Sequence, residues 1–189
     1  MKSALTLALV LGLSGASFAP QDPPDMEKEM AKMKKWTEPG KKHETLKRFV
    51  GSWTTETAIM GAAPVKGTSD IEWLMEGRWL KLDSKSTLFG KPFRSVSIMG
   101  YDNTKKSFVT TTVSSFDTAM IRTEGNLDQH GKSLISYGTL DEYMTGEHDK
   151  PIKVAWRFTS DDTMTMEVHD LAIGETNSKV FEIVYTRKK

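Results

Sequence analysis

Phe49-Val50-Gly51-Ser52-Trp53 is the stretch on which the fold turns. Before it the apolar spacing is helical. Leu46, Phe49 and Val50 share one face of a short segment from about Lys41 to Val50. After it the period becomes two, the spacing that sends successive side chains to opposite faces of a strand. Gly51 stands where a helix ends and a strand starts, a junction that suits glycine. Trp53 is the first large apolar residue of the new period.

Toward the C terminus that period persists to the end. Trp53 begins a strand reaching about Ile59. Ile71, Trp73 and Met75 alternate with Glu72 and Glu76; Gly77 interrupts, and the pattern resumes from Trp79 to Ser86, which suggests a bulge or bend at the glycine. Phe93–Tyr101 and Phe108–Phe116 flank the polar turn Asp102-Asn103-Thr104-Lys105-Lys106. Ala119–Asn126 and Lys132–Tyr143 flank a turn ending in Gly131, Ile152–Thr159 and Met164–Leu171 flank Ser160-Asp161-Asp162-Thr163, and Lys179–Arg187 closes the series. No helical run separates these segments. Nine or ten short strands joined by tight turns predict a sandwich or a barrel.

Toward the N terminus the chain changes character twice. Asp25 is placed to cap a helix in which Met26, Met30, Met33 and Trp36 form a stripe, expected to pack on the barrel, and Glu38-Pro39-Gly40 stops it. Phe18–Asp25 is Pro-rich and aperiodic, a linker. Met1-Lys2 followed by the apolar run Ala4–Leu13 and then Ser14, Gly15, Ala16 and Ser17 reads as a secretory signal peptide. A membrane span needs about 20 apolar residues, more than this run supplies. The predicted organisation is a signal peptide over 1–17, a linker and helix over 18–40, and a barrel domain over 41–189, with a mature N terminus at Phe18 or Pro20. The expected location is secreted or periplasmic, with no transmembrane span in the mature chain.

Composition narrows the function. There are no cysteines, which excludes disulfides, thiolate metal sites, a cysteine nucleophile and a lipid-modified N-terminal cysteine. Lys+Arg is 26 and Asp+Glu is 25, so the chain carries no electrostatic footprint for nucleic acid.

Several motifs extend the signal around Gly51-x-Trp53. They are Pro39-Gly40-x-x-His43-x-x-Leu46, Gly77-Arg78-Trp79-Leu80, Gly100-Tyr101-Asp102 followed by Phe108, a segment with Gly125, and Tyr185-x-Arg187. Together, over roughly residues 37–188, they resemble the bacterial domain-of-unknown-function family numbered 1579, whose members look lipocalin-like. The resemblance implies a single antiparallel lipocalin-like (calycin-type) β-barrel of about 8–10 strands with one or two N-terminal helices. It also implies that the short helix plugs one end, that Trp53 covers the floor, and that Arg187 packs over Trp53 as a basic residue does in lipocalins. It supplies no catalytic residue. Where such proteins carry an aromatic-rich strand this chain reads Val109-Thr110-Thr111-Thr112-Val113, which implies a more polar cavity.

Candidate site residues follow from the barrel. A barrel of this size can hold one small ligand in a mostly apolar pocket with a few orienting polar groups. Trp79, Tyr101 and Trp156 are the expected aromatic walls, and Arg94 or Arg122 is a potential partner for a ligand carboxylate. Trp73, Phe93 and Phe108 are further aromatic candidates for core or wall. Thr110, Thr112 and Ser114 alternate with Val109, Thr111 and Val113, so either orientation brings hydroxyls inside. His43, His130, His148 and His169 form no close pair, so no metal site and no cofactor are expected. His43 is expected to bond neighbouring backbone. Met164, Met166 and Val168 are the expected inward set on their strand, which turns His169 outward and argues against haem ligation. No Gly-x-Ser-x-Gly elbow is present, and the neighbours in Asp141-Glu142 and His169-Asp170 point to opposite faces, so neither pair acts as an acid–base unit. The leading expectation is a binding protein for a small hydrophobic or amphiphilic molecule. The alternatives are an envelope module with a filled barrel, and an enzyme using an acid or base in the cavity.

Overall fold

The computed structural model describes residues 25–59, 63–142, 145–171 and 178–189. The expected signal peptide and cleavage point lie outside these residues. The chain divides after Lys34, and the barrel belongs to the part Lys35–Lys189.

Helix α1 spans Met26–Thr37. Asp25 caps it, its carboxylate accepting from the Lys28 backbone N–H at 3.2 Å. The helix buries none of its residues, and Met26, Met30, Met33 and Trp36 are 64%, 62%, 48% and 44% exposed. Two turns of 3-10 helix follow at His43–Arg48.

Ten strands come next: β1 Gly51–Ile59, β2 Val65–Met75, β3 Trp79–Leu88, β4 Lys91–Asp102, β5 Ser107–Ser114, β6 Ile121–Leu127, β7 Ser133–Glu142, β8 Glu147–Phe158, β9 Thr163–Asp170 and β10 Ser178–Arg187. Each pairs antiparallel with its neighbours in sequence, and β10 returns to β1, so the sheet is a closed meander without a free edge. The interruption at Gly77 is a turn between two separate strands, β2 and β3, rather than a bulge within one. Gly77 sits at φ +69° and the Arg78 N–H bonds the Met75 carbonyl at 2.9 Å.

Register fixes which side chains enter the barrel. Trp53, Ile71, Leu80, Met99, Phe108, Leu134, Trp156, Met164 and Tyr185 all fall on the inner face near the end where β1 begins, and all are buried. Leu46 of the 3-10 segment and Phe49, which caps its end, enter the same cluster. Phe49 meets Trp156 and Phe158 edge-on, with ring centroids 5.2 and 4.9 Å away. Fully burying one such side chain stabilises by about 1.5–3 kcal/mol, so this floor carries much of the barrel's stability.

The floor is locked from outside by Arg187. Its guanidinium lies 4.1 Å from the centre of the Trp53 ring and donates to the carbonyls of Val50 (2.6 Å), Arg48 (3.2 Å) and Asp161 (3.1 Å). Trp53 Nε1 donates to the Phe49 carbonyl at 2.9 Å. Gly51 makes the arrangement possible. It sits at φ +143°, and a Cβ there would come within 2.3 Å of the Arg187 Nη1. The Gly-x-Trp motif and the distant arginine are thus one packing unit.

Candidate functional site

The interior changes along its axis. At the floor, the inward side chains of Leu80, Met99, Leu134 and Met164 are wholly buried. Further from Trp53, inward residues such as Thr57, Ser84, Ser95, Ser97, Thr112, Val154 and Ile183 are only half-buried. Above the floor, in the upper lumen, these inward side chains are thus less completely enclosed. This upper lumen is the candidate site.

Its lining follows from the register. Ser69 faces Ser84 across β2 and β3, and their hydroxyls bond at 2.8 Å. Ser97 faces Thr112 across β4 and β5, bonded at 2.7 Å. Thr110 lies beside Thr123, and Ser136 beside Val154. Thr110, Thr112 and Ser114 are therefore the inward set of β5, and the all-hydroxyl alternative is the one the barrel adopts. On β8–β10 the inward residues are instead Ile152, Val154, Met166, Val168, Phe181 and Ile183.

One charged pair stands on the inner face of β8 and β9 at the end far from Trp53. Lys150 Nζ lies 2.8 Å from Asp170 Oδ2, and that hydrogen bond holds the lysine above its ordinary pKa. Asp170 Oδ1 is buried and has no hydrogen-bond partner among the described residues.

The sequence-derived candidates divide. Trp156 and Tyr101 point inward, but both belong to the floor. Trp156 packs on Phe49 and, at 5.3 Å, on Tyr185; Tyr101 meets His43 and Phe108 edge-on at 5.5 and 4.9 Å. Trp79 faces outward, pairing with Gly100, whose added Cβ would lie 2.3 Å from the indole. Arg94 faces outward and forms a two-pronged pair with Asp83, at 2.9 and 2.6 Å. That hydrogen bonding, reinforced by the guanidinium charge, lowers the Asp83 carboxyl to about 2. Arg122 is exposed on the outer face, opposite Thr111 and Thr139. Strand alternation separates Trp79, Arg94 and Arg122 from the lumen; their parity against the inward Leu80, Ser95 and Thr123 is the signal that places them outside.

Of the histidines, His43 is buried and its Nδ1 accepts the Gly40 N–H at 3.0 Å, the backbone role expected of it. His169 faces outward beside Glu167, 3.2 Å away, while Met164, Met166 and Val168 face in. No group of three or more metal-ligating side chains converges among the described residues. Sequence reasoning missed Ser69, Ser84, Ser95, Ser97 and the Lys150–Asp170 pair as lumen residues. The signal was the recurrence of serine at every second position, as in Ser84-x-Ser86 and Ser95-x-Ser97.

The outer face also carries an open depression lined by Asp70, Glu72, Lys81, Asp83 and Lys85. Lys81 is already within 3.6 Å of Glu72 and 3.5 Å of Asp83, so these charges answer one another.

A closed antiparallel meander, plugged by a short helical turn and locked by an arginine over a tryptophan, defines a lipocalin-like barrel with ten strands. The chain belongs to the family described as protein of unknown function (DUF1579), which it matches over residues 38–187. No curated protein matches the sequence. Among solved structures, it is similar to Rv2717c from M. tuberculosis, at 12% identity and a TM-score of 0.54, over 80% of this chain and 100% of that one. It also matches a de novo designed fluorescence-activating β-barrel at 12% identity and a TM-score of 0.44, over 76% of this chain and 97% of that one. At such identities the likeness concerns the fold. No helix among the described residues is long and apolar enough to cross a membrane.

Proposed function

We propose that this is an exported binding protein: residues 1–17 are a signal peptide, and the mature barrel holds a small amphiphilic molecule in its upper lumen. The observation that carries the reading is the contrast within one barrel. Most of the floor is packed nearly to zero exposure, whereas inward residues above it such as Thr57, Ser84, Ser97, Thr112, Val154 and Ile183 stay partly accessible and carry both hydroxyl and apolar groups. Pockets for small molecules combine apolar surface with a few convergent polar groups in this way. Tyr101 and Trp156 form the floor on which the ligand rests. Trp79, Arg94 and Arg122 contribute nothing to its walls.

Native mass spectrometry of the chain purified from its own source tests the reading. A non-covalent adduct of small-molecule mass, lost on denaturation, is the expected result. The absence of any adduct, together with no saturable change in tryptophan emission across a panel of fatty acids and fluorescent amphiphiles, would favour a filled barrel acting as an envelope module.

A further inference from the structure

Polarity in the upper lumen is divided around the circumference of the barrel, not along its axis. The arc from β1 to β7 carries most of the inward hydroxyls, among them Thr57, Ser84, Ser95, Ser97, Thr110 and Thr112, although Ile59, Val65, Leu82, Phe93, Ile121 and Leu140 interrupt it. The arc from β8 to β10 presents Ile152, Val154, Met166, Val168, Phe181 and Ile183, with Asp170 across from Ile152 and Lys150 beyond it. A head-and-tail amphiphile such as a fatty acid fits this poorly, because its alkyl tail would lie along a wall of hydroxyls. Each unmatched hydroxyl removed from water without a partner costs about 1–3 kcal/mol. A molecule that is polar along one face and apolar along the other matches both arcs at once.

The hydroxyl arc is also equipped to bind. In the Ser69–Ser84 and Ser97–Thr112 pairs one proton joins the two oxygens. That leaves one proton and further lone pairs per pair, so each pair can both donate to and accept from a ligand hydroxyl.

We infer that the lumen takes a facially amphipathic molecule, a flat, largely rigid body with its hydroxyls on one face. These hydroxyls would lie against β1–β7 and the apolar face against β8–β10. The inference rests on the binding reading above and specifies its ligand.

The test compares two probes on the full chain, each below its micellar concentration and followed by tryptophan emission. Cholate carries its hydroxyls on one face of a rigid ring system; palmitate is a head and a tail. Saturable cholate binding at least tenfold tighter than palmitate is the expected result. Palmitate binding as tightly as cholate, or more tightly, overturns the inference and leaves amphiphile binding standing. Saturation by neither overturns both. The double variant Ser97→Ala/Thr112→Val removes one hydroxyl pair with little change in volume. Cholate affinity should fall about tenfold, the loss expected for one or two hydrogen bonds, while palmitate affinity holds or rises. Unchanged cholate affinity in a variant with a native far-UV spectrum would overturn the placement of the polar face.

Discussion

Substituting Gly51 by alanine should expose how the floor is locked. The added Cβ would sit 2.3 Å from the Arg187 Nη1, closer than non-bonded atoms approach, and at φ +143° an alanine is strained whatever the space. The backbone strain alone costs about 1–3 kcal/mol. The guanidinium must then leave Trp53, giving up a stacking contact of about 0.5–2 kcal/mol. It also gives up part of its charge-assisted bonds to the Val50 and Arg48 carbonyls, for which about 1–2 kcal/mol is a fair allowance once water replaces some of them. Its pairing with Asp162 adds little, since that carboxylate is 69% exposed. Gly51→Ala should therefore destabilise by about 4 kcal/mol, and Arg187→Ala by about 2.5 kcal/mol. The double variant should cost little more than Gly51→Ala alone, because once the arginine is gone there is nothing left to displace; the coupling is about 2 kcal/mol. Urea unfolding at 25 °C, followed in parallel by tryptophan emission and far-UV circular dichroism, measures all four corners of the cycle. Gly51→Ala within 1 kcal/mol of the parent, or strictly additive single variants, would refute the reasoning.

Further outcomes can be checked independently. Removing residues 1–34 should leave the β-sheet spectrum intact and change stability by no more than about 0.5 kcal/mol, the usual range for exposed positions, because α1 buries no residue; failure to fold would assign the helix to the core. The Asp83 carboxyl, held to about 2 by hydrogen bonding and charge from Arg94, should titrate in the ordinary carboxylate range in Arg94→Gln when followed by NMR. Because its folded pKa is depressed, the stability it contributes is present above about pH 4 and is lost as pH falls toward 2; equal acid sensitivity of parent and variant would contradict this. Tyr185, pushed up by complete burial, should stay protonated in an alkaline absorbance titration until the barrel unfolds, and Tyr185→Phe should remove that late phase. N-terminal sequencing of exported protein should begin at Phe18 or Pro20; an intact Met1 on protein recovered outside the cytoplasm would refute the signal peptide.

Strand existence was legible because the floor is apolar. Every segment whose inward positions are Trp, Phe, Leu or Met announced itself by alternation. The ends of strands were less visible, for a reason tied to the site. β2 begins at Val65, and its first half, Lys66-Gly67-Thr68-Ser69-Asp70, shows no apolar alternation because the inward positions Gly67 and Ser69 face the hydroxyl-lined lumen. β8 begins at Glu147, but Glu147–Pro151 reads as a charged loop because the inward residue there is Lys150, neutralised by Asp170 on the next strand. Pairing across strands is not written in either strand alone. The same holds for Arg94: its partner Asp83 lies eleven residues away on β3, and only the register puts both on the outer face.

The hydroxyl arc is not explained by stability. Threonine is a good strand former, but valine is equally good and nearly isosteric, and at an inward position it would gain apolar burial without leaving a hydroxyl to satisfy. The chain uses that solution a few strands away, with Val154 and Val168 on the inner faces of β8 and β9. Where it places Thr110, Thr112 and Thr123 inside instead, it forgoes packing energy. Buried polar surface of this kind is tolerated when water or a ligand supplies the missing partners. Water would satisfy the hydroxyls but gains nothing from Val154, Met166 and Ile183 on the opposite wall, which it would leave wetted at a cost. A ligand with two unlike faces satisfies both walls, and that asymmetry is the physical reason to look for one.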